Sequence, residues 1–266
     1  MNIVSKVNKG IDLLKTKYLM RFKQQIYLGS KYEVKYLLEK NINSKELIIV
    51  FSACTKIGQK ARYNYIKTLD EFKCNKLFIL DDFGFDGRGA YYLGKNKDFM
   101  IEEDVRALIN KTIDEIKPEK EIYIGSSKGG YSALYFGLER KSNFIIVGAP
   151  QYNLGDYLNL PNHKNILEYI MGDCSNDSID KLNKLMKDKL YLNKNNNNSV
   201  YIHYSTEEET YNSDIRPLLE EINNINIEIN HDKKDYSSHA ELTVFFPEYI
   251  KLSIKEILRR NSYGRN

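Results

Sequence analysis

Residues 121–134 read EIYIGSSKGGYSAL, an apolar β-strand pattern that runs through a glycine-bracketed turn into a helical pattern. Within it, residues 125–129 fit G-x-S-x-G, the nucleophile elbow, in which a strained turn lifts a serine hydroxyl above the edge of a sheet. Gly125 and Gly129 flank Ser127 because so tight a turn leaves room for little more than hydrogen. An ordinary Gly-Ser-Ser turn that caps a helix is the alternative. The flanking strand and helix patterns favour the elbow, which makes Ser127 the candidate nucleophile.

Short apolar segments separated by helical patterns predict an α/β fold. Strand-like runs lie at residues 47–51, 77–80, 122–124, 144–147, 200–204 and 225–229. Runs that are apolar throughout are typical of a parallel sheet with helices on both faces. Alternation at residues 32–38 predicts one half-buried, antiparallel strand. Because α/β chains of this length commonly form one domain, we expect a single domain over residues 1–266.

Two further segments predict helices outside the sheet. Residues 1–23 place apolar side chains on one helical face with lysines opposite, so we expect an amphipathic helix that packs on its own domain. Peripheral association with a membrane is the alternative for this helix. Residues 152–198 exceed the length that a crossover requires and carry helical patterns at 166–171 and 179–190. They end in a polar, asparagine-rich stretch, so we expect a helical cap with a mobile end.

Composition limits the partners of this chain. The 40 basic and 36 acidic residues give a net charge of +4 that is spread along the 266 residues, which argues against a nucleic-acid partner. The three cysteines, Cys54, Cys74 and Cys174, have no paired spacing, so we expect reduced thiols in a cytoplasmic protein and no metal site. The apolar runs are strand-length, and we expect no secretory signal and no transmembrane segment.

A histidine near the end of the chain completes a possible catalytic set. Reacting groups in an open α/β sheet gather on the loops beyond the carboxyl ends of the strands, and one triad type has the chain order serine, acid, histidine. His239 precedes the final helical pattern and is the candidate general base, because an imidazole can take the serine proton and return it. His231, at the end of a predicted strand, is the alternative.

Three consecutive glutamates follow the strand predicted at 200–204 and supply candidates for the acid. Glu208 is the first choice, since it lies four residues beyond Tyr204, within reach of the histidine. The other glutamates and two later aspartates stay open as alternatives, namely Glu207, Glu209, Asp214 and Asp235. An acidic loop is often merely solvated, so only one of these carboxylates needs to turn inward.

Backbone and loop groups complete the predicted site. The N–H groups of Lys128 and Ala53 are the expected donors to an oxyanion, because such donors follow the nucleophile and the early central strand. Loops at 81–94 and 148–155 also follow strands and could line the pocket. From these loops Arg88, Tyr91 and Gln151 are candidate substrate-binding residues, with a cation and an aromatic face suited to a sugar or a carboxylate.

Six short segments resemble a bacterial capsular-polysaccharide biosynthesis family with an α/β-hydrolase fold. They are FILDDFG (78–84), YYLG (91–94), GSSKGG (125–130), GAPQ (148–151), HYS (203–205) and EETY (208–211). The similarity covers most of the chain after residue 25. More distantly, the chain resembles the O-acetyltransferases of capsule clusters and accessory-secretion proteins that acetylate adhesin glycans. It differs from many hydrolases in having Phe51 and Ser52 in place of His-Gly.

The resemblance implies a triad of Ser127, an acid near Glu208, and His239, and a transfer of acetyl from acetyl-CoA to a sugar hydroxyl. The sequence itself contains no coenzyme A motif. The leading hypothesis is therefore a serine O-acetyltransferase that acts on a capsular or other surface polysaccharide. A carbohydrate esterase with the same triad and a non-catalytic scaffold of a capsule-assembly complex are the alternatives.

Overall fold

A computed structural model describes residues 19–141 and 143–260 of the chain. In this part of the chain one sheet has the strand order β1-β2-β4-β3-β5-β6-β7-β8. The strands are β1 (Gln25–Leu28), β2 (Glu33–Glu39), β3 (Glu46–Phe51), β4 (Asn75–Leu80), β5 (Lys120–Ser126), β6 (Phe144–Gly148), β7 (Ser199–Ser205) and β8 (Glu228–Lys234). β2 pairs antiparallel with β1 and β4, and the remaining pairs are parallel. The predicted, mostly parallel α/β sheet is confirmed.

Helices cover both faces of the sheet. They are α1 (Ile66–Leu69), α2 (Met100–Ile116), α3 (Lys128–Leu138), α4 (Leu154–Leu158), α5 (Lys164–Met171), α6 (Asn176–Leu192), α7 (Arg216–Asn224) and α8 (Leu242–Arg259). Successive residues of a strand point to opposite faces. On β6, Ile145 packs against α3, whereas Gly148 packs against Phe246 of α8. α3 and α8 therefore lie on opposite faces, and the parallel strands between them are buried.

The last strand begins later than its sequence predicts. The apolar pattern places it at 225–229, but β8 starts at Glu228. Ile225 and Asn226 still belong to the end of α7, since their N–H groups donate to carbonyls of that helix at 3.3 Å. Asn226 has a φ of 56°, a left-handed conformation typical of helix ends. β8 is an edge strand with a mostly polar sequence, so its apolar signal is weak.

The segment between β6 and β7 contains three helices, α4 to α6, where the sequence pattern predicts two. α6 packs alongside α3 and α4. The asparagine-rich end of the segment is anchored, contrary to expectation. Asn198 is buried, donates to Leu138 O at 3.2 Å and accepts from the Asn143 N–H at 3.3 Å. An asparagine side chain both donates and accepts, which lets this polar stretch satisfy buried backbone groups.

The N-terminal helix predicted over residues 1–23 lies mostly outside the described residues. Within the described part of this segment, residues 19–22 are helical. Within residues 19–141 and 143–260, no helix combines the length and the apolar character that crossing a bilayer requires. The three cysteines are free thiols.

Candidate active site

Ser127 lies in the turn between β5 and α3 and has a strained backbone. Its φ of 51° and ψ of −123° fall in a region that residues with side chains seldom adopt. The Ser127 N–H donates to Gly148 O at 2.8 Å, which ties the turn to the next strand. A methyl group at Gly125 would collide with the Gly129 carbonyl, and one at Gly129 would meet the Phe51 carbonyl. These are the features of a nucleophile elbow.

The loop after β7 carries a buried carboxylate that contacts His239. Glu208 Oε2 lies 3.3 Å from His239 Nδ1, and its other oxygen accepts from Thr210 Oγ1 at 2.9 Å. Glu209 is exposed and instead accepts from the backbone N–H of His239 at 2.8 Å. Glu207 is exposed as well. Among the three glutamates, Glu208 alone faces the imidazole.

Ser127 and His239, the candidate nucleophile and base, do not share a hydrogen bond within the described residues. His239 Nε2 is buried and has no hydrogen-bond partner within the described residues. Ser127 Oγ instead accepts from Gln151 Nε2 at 3.3 Å. Hydrogen bonds between catalytic groups are often long before substrate binds and tighten in the reacting complex. The structure thus brings Glu208 and His239 together through Nδ1. His239 Nε2, the nitrogen that would receive the serine proton, has no hydrogen bond within the described residues.

The alternative acids and bases have other surroundings. His231 is exposed on β8, with Nδ1 3.4 Å from the Tyr204 hydroxyl. Asp214 accepts from the backbone N–H groups of Tyr152 and Asn153 at 2.8 and 3.0 Å, which fixes the start of the segment between β6 and β7. Asp235 is exposed. None of these three residues contacts His239 by a hydrogen bond in the described structure.

Replacement of Glu208 by glutamine is expected to lower turnover by about 10⁴-fold, because an amide can donate to the imidazole and favours the wrong tautomer. Glu209→Gln is the matched control, since an amide oxygen can still accept from the His239 backbone N–H. Turnover of an activated acetyl ester, measured side by side, checks this difference. Equal, mild losses in the two variants would place the acid elsewhere.

The two predicted oxyanion donors differ in availability. Lys128 is the first residue of α3, and the first N–H groups of a helix have no partners within it. The Ala53 N–H donates to Asn64 Oδ1 at 2.8 Å. The neighbouring Ser52 N–H donates to the Tyr92 hydroxyl at 2.7 Å. The first two N–H groups after β3, those of Ser52 and Ala53, therefore donate to side chains of this chain.

A buried ion pair supports the elbow and was not predicted from the sequence. Lys128 and Asp81 are fully buried, and Lys128 Nζ lies 2.8 Å from Asp81 Oδ2. The ammonium group also donates to Arg88 O at 3.1 Å, and the carboxylate accepts from the Ala90 and Tyr92 N–H groups. The loop at 81–94 is thus folded around Lys128, the residue that follows Ser127. Two features of the sequence could have indicated this ion pair, namely an aspartate directly after β4 and a lysine inside the elbow.

Lys128→Met is expected to destabilise the protein by about 3–5 kcal/mol, because it leaves the buried Asp81 carboxyl group without its cation. Urea unfolding followed by circular dichroism measures this change. Lys97→Met is the matched control, since Lys97 pairs with Asp173 at 2.8 Å on the surface, where ion pairs contribute little. If the two variants unfold at the same urea concentration, the buried pair does not stabilise the fold.

The three candidate substrate-binding residues lie in different environments. The buried Arg88 guanidinium donates to Asp86 Oδ2 at 2.6 Å and to Asn165 Oδ1 at 3.0 Å, so it joins the loop to α5. Tyr91 is buried, and its hydroxyl donates to Gln151 Oε1 at 3.4 Å. Gln151 is buried beside Ser127. Of the three, only Gln151 has a hydrogen bond to Ser127.

Two residues of the segment between β6 and β7 also reach the site. The Tyr157 hydroxyl on α4 interacts with Ser127, and its ring stacks on His163 with centroids 4.6 Å apart. Burial raises the pKa of Tyr157, so its hydroxyl stays protonated. Burial also lowers the pKa of His163 to about 4, with Arg88 and His239 acting in the same direction. Neither residue has a sequence signal of its own, because their positions depend on how the segment folds back.

Comparison with known proteins places this site in context. No known family model matches the chain, and no curated protein matches it by sequence. The structure is similar to a capsule O-acetyltransferase of Neisseria meningitidis serogroup A, with 26% identity and a TM-score of 0.73 over 86% of this chain and 93% of that one. A mutant of that enzyme in complex with CoA matches at 24% identity and a TM-score of 0.71, over 87% and 94% of the two chains.

Two more distant structures share the fold. The Gap123 glycosylation-associated protein complex of Streptococcus agalactiae has 19% identity and a TM-score of 0.73, over 91% of this chain and 47% of that one. The serine hydrolase FphF of Staphylococcus aureus has 12% identity and a TM-score of 0.62, over 89% and 97%. The fold is therefore that of the α/β hydrolases, and the chain is an enzyme of the acyltransferase or esterase kind. Its resemblance to the capsule O-acetyltransferases is confirmed at the level of structure.

Proposed function

We propose that this protein is a serine O-acetyltransferase that moves an acetyl group from acetyl-CoA to a hydroxyl of a bacterial capsular or surface glycan. The observation that carries the proposal is the strained Ser127 at the elbow, together with the buried Glu208 that holds His239. Similarity to a capsule O-acetyltransferase supports the choice of acyl group and acceptor. The CoA complex of a related structure supports the donor.

The arrangement accounts for a two-step transfer. His239 takes the Ser127 proton while Ser127 Oγ attacks the thioester carbonyl, and the CoA thiol leaves with that proton. A sugar hydroxyl then gives its proton to His239 as its oxygen attacks the acetyl-serine carbonyl, and Ser127 Oγ leaves and takes that proton back. Glu208 orients the imidazole through Nδ1 and stabilises its charged form. The same acyl-enzyme would give acetate if water replaced the sugar, so access of water decides between transferase and esterase.

The segment at 152–198 supports transfer over hydrolysis in this proposal. It forms a helical cap whose Tyr157 reaches Ser127 and whose His163 stacks on that tyrosine. These aromatic groups limit the space that water could occupy beside an acetyl-serine. The loop after β3 carries three exposed cations, Lys56, Lys60 and Arg62, a charge that favours the approach of an anionic donor such as CoA. An acyl-CoA donor and free thiols fit a cytoplasmic location.

Intact-mass analysis tests the proposal directly. The protein is exposed briefly to acetyl-CoA, or to p-nitrophenyl acetate as an activated ester, and an added acetyl group on Ser127 is expected. Ser127→Ala should take up none. Adding a mixture of bacterial capsular oligosaccharides should then move the acetyl group to sugar faster than it is released as acetate. Release to water alone, unaffected by any sugar, would identify an esterase, and absence of acetyl-enzyme from both donors would reject the serine mechanism.

A further inference from the structure

The oxyanion site of this chain lacks one of its expected backbone donors. In the usual elbow arrangement, one N–H follows the nucleophile and a second comes from the loop after an early central strand. Here the first belongs to Lys128 at the start of α3. The Ala53 N–H, which would be the second, donates to Asn64 Oδ1 at 2.8 Å. A developing negative charge therefore needs another donor near Ser127.

Gln151 has the position that such a donor requires. It lies in the loop after β6, its side chain is buried, and Nε2 lies 3.3 Å from Ser127 Oγ. The carbonyl oxygen of an attacked acyl group is bound to the same carbon as Oγ. A donor within hydrogen-bond reach of Oγ is thus close to the place where the oxyanion forms, and glutamine side chains are suitable oxyanion donors.

A hydrogen bond from Tyr91 fixes the orientation of the Gln151 side-chain amide. Gln151 Oε1 accepts from the Tyr91 hydroxyl at 3.4 Å, which directs the NH₂ group of the amide towards Ser127. Burial raises the pKa of Tyr91 well above its ordinary value, so this hydroxyl remains a donor. The Tyr91 ring packs edge-on against Tyr131 of α3, with centroids 5.5 Å apart. Tyr91 therefore links Gln151 to α3, the helix that follows Ser127. A donor fixed before reaction stabilises charge most effectively.

We propose that Gln151 Nε2–H is the second oxyanion donor of this enzyme, acting with the Lys128 N–H. This inference rests on Ser127 being the nucleophile. As the bond from Ser127 Oγ to the acyl carbon forms, the carbonyl π pair moves to oxygen and the serine proton moves to His239 Nε2. Both donors bind that oxyanion. The pair then re-forms the carbonyl as the bond to the leaving group breaks, and the leaving group receives the proton from His239.

Single-turnover acylation by p-nitrophenyl acetate tests this role in Gln151→Ala and Gln151→Glu. Loss of one oxyanion donor lowers the acylation rate by about 10²–10³-fold, with little change in KM. Gln151→Glu keeps the size of the side chain but has no N–H when ionised. Gln59→Glu is the matched control, because Gln59 is an exposed amide on the loop after β3 and makes the same change of charge. Its rate should equal that of the unmodified protein.

A second readout covers the case in which a variant folds poorly. A trifluoromethyl ketone adds to the serine and forms a tetrahedral oxyanion, so its inhibition constant should rise by a factor similar to the loss of rate. An inhibition constant reports only folded protein, and misfolded material cannot imitate this change.

The outcomes separate this inference from the proposed function. Loss of an oxyanion donor lowers the acylation rate by far more than about threefold. If the unmodified protein is acylated and both Gln151 variants stay within about threefold of its rate and inhibitor affinity, Gln151 is not an oxyanion donor. The serine mechanism would stand in that case. If the unmodified protein forms no acyl-enzyme with acetyl-CoA or with p-nitrophenyl acetate, the proposed function fails and this inference fails with it.

Discussion

Replacement of Ser127 by alanine is expected to reduce turnover by about four orders of magnitude or more, because the proposed acyl-enzyme forms on the Ser127 hydroxyl. The fold should persist, since the hydrogen bonds that hold the turn use the backbone of Ser127 and not its hydroxyl. The measurement is kcat with an activated acetyl ester, with labelling by a fluorophosphonate as an independent check. Both signals should disappear together.

Ser126→Ala is the control for that substitution. Ser126 is the preceding serine, is buried, and hydrogen-bonds the Tyr65 hydroxyl instead of any triad member. Its variant should keep fluorophosphonate labelling and most of the turnover. Activity in Ser127→Ala comparable to that of the unmodified protein would reject Ser127 as nucleophile. Loss of labelling only in Ser126→Ala would assign the nucleophile to the neighbouring serine.

The elbow was predictable because its constraints are local. Positions 125 and 129 require glycine because backbone carbonyl groups lie where a Cβ atom would be. Both positions fall within five consecutive residues, so the pattern is visible in the sequence. The parallel sheet was predictable for a similar reason, since strands buried on both faces must be apolar throughout. The contact between Glu208 and His239 follows from topology, which brings the loops after β7 and β8 to the same edge of the sheet.

Other features depend on contacts between distant segments, and the sequence carries no local sign of them. Asn64 takes the Ala53 N–H only because the loop after β3 folds back on itself. Arg88 reads as a free cation in the sequence but pairs with Asp86 and Asn165 once α5 packs beside it. Tyr157 reaches Ser127 because the segment between β6 and β7 folds back over the site. The sequence pattern predicted two helices in this segment, and the structure has three. Pairing and packing of this kind are decided by tertiary structure, and residue patterns along the chain do not specify them.

Replacement of His239 by alanine is expected to cost roughly as much turnover as Ser127→Ala, because the nucleophile and its base act as one unit. For the same reason, combining the two substitutions should add little to either loss. His231→Ala is the matched control, since His231 is exposed on β8 and contacts Tyr204. Steady-state kcat of all four variants with p-nitrophenyl acetate provides the comparison.

A second measurement shows whether His239 acts as a base or only shapes the loop. Glu208 is buried and would keep its carboxylate facing the space left by the imidazole in His239→Ala. Added imidazole can occupy that space, pair with Glu208 and accept the Ser127 proton, so it should restore part of the lost activity in a saturable manner. It should restore nothing in Ser127→Ala, because no nucleophile is present there. If His231→Ala is the inactive variant and His239→Ala retains turnover, the base is on β8, and the contact of Glu208 with His239 is structural.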